Sequence, residues 1–216
     1  NNVLIKLNKI KNEYIWDTPE LILFFSDSKN FRKKIFGAYK GHRNRKKPCG
    51  YRRVINELSK DHEVIKLPEL EADDAMGIYA TAHPGNMIVS PDKDMRQIPG
   101  KLYNLTDTTY ITPEEGARWH LIQTLAGDQT DGYSGVPGIG VKRAETLFDK
   151  EGYSWQTVLK AFNDKGLTDA DALLNARLAR ILTLDDYDTK RQEPILWTPE
   201  ISFTIDDGTR FQDASY

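Results

Sequence analysis

Short apolar runs separated by polar turns occupy the first half of the chain. Residues 21–26 form a continuous apolar run, which predicts a strand buried on both faces of a parallel sheet. Residues 62–67 and 87–90 predict two further strands, and residues 102–105 predict an edge strand. Between them, residues 71–82 carry apolar side chains at helical spacing. Strands alternating with helices indicate an α/β fold.

The second half of the chain predicts helices rather than strands. Helical patterns cover residues 113–127, 154–163 and 169–184, and the last thirty residues read as irregular. We therefore expect an α/β core over residues 1–110 and a helical region over residues 111–216.

The charge is strongly segregated along the chain. The formal net charge of the 216 residues is −2, but the segment 28–56 holds eleven basic residues and no acidic one. The rest of the sequence holds the other nineteen basic residues and all 32 acidic residues. Because aromatic residues interleave the basic segment, the pattern favours contact with a polyanion such as nucleic acid over a solvated face.

Composition excludes several classes of protein. A single cysteine, Cys49, cannot form a disulfide framework or a cysteine-only zinc site. No window approaches the ~18 apolar residues of a membrane-spanning helix, and no signal-peptide pattern is visible. We expect a cytoplasmic protein without a membrane partner.

Carboxylates recur where predicted strands end. They are Asp27, Glu71, Asp73, Asp74, Asp92, Asp94, Asp128 and Asp131. The carboxyl ends of strands in an open α/β sheet form its ligand-binding edge, so these segments are expected to converge. At any one position the acid could instead complement a helix dipole or belong to a turn. Their recurrence favours an oxygen-ligated site for Mg²⁺ or Mn²⁺.

A glycine-rich loop precedes a predicted helix in the second half. Gly135, Gly138 and Gly140 are followed by Lys142 and Arg143, a pattern typical of a helix–hairpin–helix motif. Amides at the start of a helix can face a phosphate, and contact with a duplex backbone reads no sequence. The alternative is a purely structural turn.

These motifs, in this order, resemble the 5′-nuclease superfamily, which includes flap endonucleases and the 5′-nuclease domain of bacterial DNA polymerase I. The resemblance is carried by Asp27, the run 39–43 (Tyr-Lys-Gly-His-Arg), the run 71–74 (Glu-Ala-Asp-Asp), the run 90–94 (Ser-Pro-Asp-Lys-Asp), the run 127–131 (Gly-Asp-Gln-Thr-Asp) and the glycine loop. It is strongest for phage 5′→3′ exonucleases of the podovirus type, and a tryptophan-bearing run at 119–124 adds to it.

The resemblance implies a PIN-like 5′-nuclease fold with a parallel-type central sheet, a C-terminal helix–hairpin–helix region, and two bound divalent ions. Asp27, Glu71, Asp73 and Asp74 would serve the first ion, and Asp92, Asp94, Asp128 and Asp131 the second. Lys40 and Arg43 would be catalytic and grip the scissile phosphate, within an arch over about residues 28–56. DNA-binding roles fall to Arg32, Lys33, Tyr39, Arg45, Lys46, Gly135, Gly138, Gly140, Lys142 and Arg143. K⁺ is a further candidate ion at the glycine loop.

One feature departs from the superfamily pattern. Its first strand, which ends in a metal-binding aspartate, has no counterpart in the sequence, and no initiator methionine is present. We therefore expect the sequence to be an incomplete record, and a first metal site that lacks this segment to be short of a ligand.

The function expected from the resemblance is metal-dependent 5′→3′ hydrolysis of duplex DNA, including RNA–DNA hybrids, by a monomer in a phage-infected cell. Structure-specific flap cleavage uses the same residues and stays an alternative. An endoribonuclease with similar acids would not need the glycine loop, and a non-catalytic duplex-binding module would not need eight placed carboxylates.

Overall fold

The computed structural model describes residues 9, 10 and 12, and the ranges 20–43 and 49–199. Among them, strands β1 and β2 pair in parallel, β3 and β4 pair in parallel, and β5 pairs antiparallel with β4. A small antiparallel hairpin, β6–β7, follows late in the chain. The strands are β1 (Ile22–Phe24), β2 (Glu63–Ile65), β3 (Met87–Val89), β4 (Gly100–Tyr103), β5 (Thr108–Ile111), β6 (Tyr187–Asp188) and β7 (Glu193–Pro194).

Seven α-helices lie within the ranges 20–43 and 49–199. They are α1 (Arg32–Ile35), α2 (Tyr51–Leu58), α3 (Ala72–Ala82), α4 (Pro113–Ala126), α5 (Val141–Glu151), α6 (Trp155–Asn163) and α7 (Asp169–Ala179). Short 3₁₀ turns cover Lys93–Gln97 and Leu184–Asp186. The predicted α/β class is confirmed: α3 packs against both β1 and β3 and so joins the two sheets.

Two strand predictions need correction. The predicted edge strand at 102–105 is β4, which lies between β3 and β5, and the edge is the unpredicted β5. Three of the four β5 residues are exposed, so this strand has no apolar run to reveal it. Residues of β1 are half-buried rather than fully buried, because β2 is the single strand paired with β1 within the described ranges.

Helix starts follow the expected capping chemistry. Thr112 accepts a hydrogen bond from the Glu115 backbone N–H while the Glu115 carboxylate accepts one from the Thr112 N–H, a capping box with Pro113 in the first turn of α4. The prediction that helix 169–184 is continuous is wrong. Helix α7 ends at Ala179, where Arg180 turns to an extended conformation.

The C-terminal end of α7 and the residues that follow it lead from the helical region to the α/β core. Trp119, Leu125, Phe148 and Phe162 belong to a core formed by α4–α7 together with Val136 of the glycine loop. Ile181 instead packs with β3 and β4 residues, and Leu182 packs with Phe31, Leu70 and Ile78. Leu178–Leu182 is hereafter called the crossing segment. The predicted division at residue 110 stays a prediction.

No helix in the described ranges is long and apolar enough to span a membrane.

Candidate active site

Two cations from the loop after α1 meet two carboxylates from distant segments. The Lys40 ammonium donates to Glu71 Oε1 and lies 3.4 Å from Asp131 Oδ2. The Arg43 guanidinium donates to Asp131 Oδ1 at 2.7 Å and to the Thr130 carbonyl at 3.1 Å. Lys40 has a positive φ of 51° and its N–H donates to the Asp131 carbonyl at 2.7 Å, which holds the loop against the Asp131 segment. These predicted catalytic cations therefore sit at the acidic site.

Helix α3 presents Glu71 at its N-terminus as the N-cap. Although burial opposes ionisation, the neighbouring Arg32 and Lys40 hold the pKa of Glu71 below its ordinary value. Because the carboxylate stays ionised among these cations, Glu71 can anchor the loop that carries Lys40.

Tyr39 joins the same two carboxylates but cannot stack on a base. Its hydroxyl donates towards Glu71 Oε2 at 2.9 Å and Asp131 Oδ2 at 3.0 Å, and the side chain is 2% exposed. Burial raises the pKa of Tyr39, and the two carboxylates raise it further, so the hydroxyl keeps its proton. The predicted DNA-binding role is therefore replaced by a bridging role inside the site.

Arg32 and Asp74 form a buried ion pair, which corrects two further predictions. The guanidinium donates to both Asp74 oxygens at 2.7 Å, and the residues are 1% and 0% exposed. Asp74 also accepts from the Leu182 and Glu71 backbone N–H groups. Arg32 is thus inaccessible to DNA, and the Asp74 oxygens are occupied by the protein rather than free to bind a metal.

Asp27 follows β1 as predicted, but its described contacts do not join it to the other acids. Lys66 Nζ lies 2.7 Å from one carboxylate oxygen, and the Glu69 N–H donates to the other at 3.0 Å. The hydrogen bond from Lys66, followed by that from Glu69, lowers the pKa of Asp27 well below its ordinary value. The expected grouping of Asp27 with Glu71 and Asp73 is not formed by these contacts.

The structure brings four other carboxylates into electrostatic reach of one another. The pKa of Asp73 is raised from 3.8 to about 7, first by burial and then by the charges of Asp92, Asp74 and Glu71. Burial likewise raises the pKa of Asp94 to about 6, with contributions from Asp92 and Asp128. Such shifts indicate negative charge that the surrounding side chains do not neutralise.

The two acidic loops are shaped by local hydrogen bonds. Asp92 caps the 3₁₀ turn by accepting from the Asp94 N–H at 3.0 Å. Asp128 accepts from the Thr130 and Asp131 N–H groups at 2.7 and 3.2 Å, and Lys93 Nζ lies 3.7 Å from its other oxygen. One oxygen of each residue therefore stabilises its own turn; the second Asp128 oxygen faces Lys93.

Two glutamines that the sequence reading missed support Asp94. Gln123 donates to Asp94 Oδ1 at 2.5 Å, and Gln97 donates to Gln123 Oε1 at 2.6 Å. Both are buried in the interior between α4 and the crossing segment. Glutamine carries no ligand or catalytic signal by residue type, and here only the fold reveals the contact.

The glycine loop is tied to the acidic loop by a close backbone approach. A Cβ on Gly127, whose φ is +65°, would lie 2.4 Å from the Gly135 nitrogen, and one on Gly135 would lie 2.4 Å from the Gly127 nitrogen. Beyond it, a depression of about 750 Å³ is lined by Val136–Arg143 together with three residues of the preceding segment. Arg143 turns back to donate to the Gly138 carbonyl at 2.7 Å, whereas Lys142 is exposed.

The remaining residues predicted to bind DNA differ in their surroundings. Lys33 is exposed on α1, next to the buried Arg32. Gly138 and Gly140 line the depression; Gly140 has open space around it, whereas a Cβ on Gly138 would lie 3.8 Å from the Arg143 guanidinium. Arg45 and Lys46 lie outside the described residues.

The donor set fits a hard divalent cation by its chemistry. The acids are oxygen donors, and the raised pKa values of Asp73 and Asp94 show charge that a cation would neutralise. Across the ranges that the structure describes, no group of three or more His, Cys, Asp or Glu side chains is already arranged around one point for a metal. Glu71 and Asp131 are held by Lys40 and Arg43, so any metal at these two would compete with cationic side chains.

Comparison with known sequences places the chain in a family. Residues 2–119 match the model of the 5′-3′ exonuclease N-terminal resolvase-like domain. An exodeoxyribonuclease of Enterobacteria phage T3 is 33% identical over 85% of this chain and 75% of the relative. An exonuclease of Escherichia phage T7 is 31% identical over the same shares.

Comparison with solved structures confirms the fold. The 5′-exonuclease of phage T5 with bound zinc matches with a TM-score of 0.60 at 15% identity, over 82% of this chain and 79% of that one. The catalytic core of Rad2 in complex with DNA matches with a TM-score of 0.50 at 13% identity, over 69% and 52%. With both sequence and fold in agreement, the chain belongs to the 5′-3′ exonuclease family.

Proposed function

We propose that this family member hydrolyses phosphodiesters from the 5′ ends of duplex DNA in a divalent-metal-dependent reaction. The observation that carries the proposal is the ion-pairing of Lys40 and Arg43 with Glu71 and Asp131, at the carboxylate edge of the fold. A phosphate entering this edge meets two cations already held beside acids, which is the charge pattern that phosphodiester hydrolysis uses.

Asp73, Asp92, Asp94 and Asp128 are proposed to hold Mg²⁺ or Mn²⁺, with Glu71 and Asp131 completing two sites. When bound, the ions supply Lewis acidity to the attacking water and the leaving oxygen. Lys40 and Arg43 bind the scissile phosphate, exchanging part of their contact with the carboxylates for contact with its oxygens. Tyr39 keeps Glu71 and Asp131 at a fixed separation while this exchange occurs.

The substrate is inferred from the surface and from relatives. Lys142 and the amides of Gly138–Val141 line an open depression beside the site, which suits a duplex backbone and supports the helix–hairpin–helix assignment. The T5 flap endonuclease solved with DNA and metal ions shares this fold, with a TM-score of 0.59 at 15% identity. We place the reaction in the host cytoplasm, carried out by a monomer, and K⁺ at the loop belongs to the same proposal.

A cleavage assay tests the reaction and separates its alternatives. Blunt, nicked and flapped duplexes labelled at either end are incubated with Mg²⁺ or with chelator. Release of short products from the 5′ label supports exonucleolytic action, whereas release of an intact flap supports flap endonucleolytic action. Binding without cleavage would leave the non-catalytic module, and cleavage of single-stranded RNA alone would leave the endoribonuclease.

Asp92→Asn is the matched active-site variant. Asparagine caps a helical turn about as well as aspartate, so the loop is retained while one charge is removed. We expect cleavage to fall by at least about a hundredfold, on the scale of losing one group that stabilises transition-state charge. Asp61→Asn removes an exposed acid elsewhere and should retain activity. Full activity of Asp92→Asn would contradict the proposed site.

A further inference from the structure

Two buried glutamines connect Asp94 to the crossing segment through an unbroken chain of hydrogen bonds. The Ile181 N–H donates to Gln97 Oε1 at 3.0 Å, and Gln97 Nε2 donates both to the Ala179 carbonyl at 2.7 Å and to Gln123 Oε1 at 2.6 Å. Gln123 Nε2 then donates to Asp94 Oδ1 at 2.5 Å. The chain starts on backbone and ends on a carboxylate of the candidate site.

The backbone groups at Ala179 and Ile181 fix the orientation of both glutamine side-chain amides. Ile181 N–H can only donate and the Ala179 carbonyl can only accept, so Gln97 must present Oε1 to the first and Nε2 to the second. Nε2 of Gln97 then requires an acceptor on Gln123, which is its Oε1. The Gln123 NH₂ group is left facing Asp94, because reversing it would place Nε2 against Nε2.

From this geometry we propose that Gln97 and Gln123 are positioning residues that hold the Asp94 carboxylate in the nuclease site. The inference rests on the proposed function for what Asp94 does, and on the hydrogen bonds alone for what the glutamines do. A donor fixed at Oδ1 sets the rotation of the carboxylate plane, and supporting contacts of this kind orient a metal-ligating group.

Because both glutamines are buried, this series of hydrogen bonds forms a rigid support rather than a surface contact. Gln97 is 2% exposed and Gln123 4%, so neither amide can exchange its partner for water without opening the interior. A Cβ on Gly116 of α4 would lie 2.3 Å from the Gln97 carbonyl oxygen, so the Gln97 backbone is pressed directly against the helix that carries Gln123.

Gln123→Met tests the role against Thr124→Val. Methionine keeps length and burial but removes the donor to Asp94. Thr124 is the next residue of α4, fully buried, and its hydroxyl donates to the His120 carbonyl of its own helix rather than to the site. Thr124→Val therefore removes another buried, hydrogen-bonded polar group from the same helix without altering a contact to Asp94.

We expect Gln123→Met to lower kcat and the affinity for Mn²⁺, measured by calorimetry, by about 10–100-fold, with KM for DNA within about twofold. Thr124→Val should lower the unfolding midpoint and leave both values unchanged. Parallel losses in the two variants, or unchanged Mn²⁺ affinity in Gln123→Met, would overturn the proposal. If the wild-type protein binds Mn²⁺ but cleaves nothing, the proposed function fails, while the affinity comparison still decides the positioning role.

A spectroscopic measurement covers a Gln123→Met variant that does not fold. In the full chain, Asp94→Asn should shift the side-chain amide NMR signals of Gln123 and, more weakly, Gln97. The exposed Gln156 on α6 serves as the internal control. Unshifted Gln123 signals would overturn the proposal independently of any activity.

Discussion

Neighbouring basic residues on α1 have opposite environments. Arg32 is buried against Asp74, whereas Lys33 and Lys34 are exposed one and two residues later. From the sequence all three belong to one basic segment, and residue type gives no sign of which points inward. The carboxylates were easier to place, because their position after strands and at a helix N-terminus follows from the fold class.

Arg32→Met is predicted to destabilise the protein strongly. Removing the partner leaves Asp74 charged in the interior, which costs about 3–5 kcal/mol of unfolding free energy. Urea denaturation measures the loss. The exposed Lys34–Glu69 pair gives the control: Lys34→Met should cost about 1 kcal/mol or less. Similar losses of unfolding free energy in both variants would show that the buried Arg32–Asp74 pair does not stabilise the fold more than an exposed pair does.

At the level of elements, strands with apolar runs and helices with capping residues could be predicted. The alternation of β1, β2, α3 and β3 follows from short apolar runs, and α4 from its cap and proline. Strand β5 has no apolar run, because three of its four residues are exposed; its sequence signal is β-propensity alone (Thr-Thr-Tyr-Ile), and its conformation is stabilised by pairing with β4. The end of α7 has no glycine or proline to mark it in the sequence; it is set by the tertiary contacts of the crossing segment.

The start of α5 offers a prediction about DNA contact. Lys142 is exposed at the depression with no contact to loop carbonyls, unlike Arg143. Lys142→Ala should weaken duplex binding equally for all sequences and reduce the slope of log affinity against log salt by about 1. Fluorescence anisotropy over a salt series measures both quantities.

Lys160→Ala is the control for that series. Lys160 lies on α6 and pairs with Asp164 at 2.8 Å, away from the depression. Its removal should leave affinity and slope unchanged. A slope that Lys142→Ala does not alter would remove this residue from the duplex interface.

Across the whole molecule, the segregated charges become a local arrangement of cations and acids. The basic segment supplies Lys40 and Arg43 to carboxylates that come from sequence positions 31 and 88 residues away. The composition indicates that such charges exist but not how they pair, since pairing depends on the loop conformation at Lys40 and the turn at Asp128. The sequence therefore predicts that the carboxylates lie together, but not the salt bridges that Lys40 and Arg43 form with Glu71 and Asp131.

This arrangement predicts a pH-dependent stability in chelator. With a pKa raised to about 7, folded Asp73 keeps its proton while the unfolded chain ionises near pH 4. The folded state therefore loses stability as pH rises between these values, by up to about 1.4 kcal/mol per pH unit, and the loss is complete above about pH 7. Thermal unfolding at several pH values in chelator measures this effect.

Asp73→Asn isolates the contribution of this group. Its unfolding midpoint minus that of the wild type should be near zero at about pH 4 and grow until about pH 7. Added Mg²⁺ should reduce this difference above about pH 7, because the wild type, which keeps the Asp73 carboxylate, binds the ion more tightly than the variant. Asp61→Asn provides the baseline for removing an exposed charge. A pH-independent difference would show that Asp73 does not carry the raised pKa.

The backbone of the crossing segment supports two separate carboxylates, Asp74 directly and Asp94 through Gln97 and Gln123. The Ile181 and Leu182 amide protons are donated to Gln97 and Asp74, so each is shielded by a side chain that supports a different part of the edge. Opening this segment exposes both protons to solvent deuterium in one event. The opening free energies obtained from their exchange should therefore match each other and that of α7, so that the carboxylates lose their support together rather than one at a time.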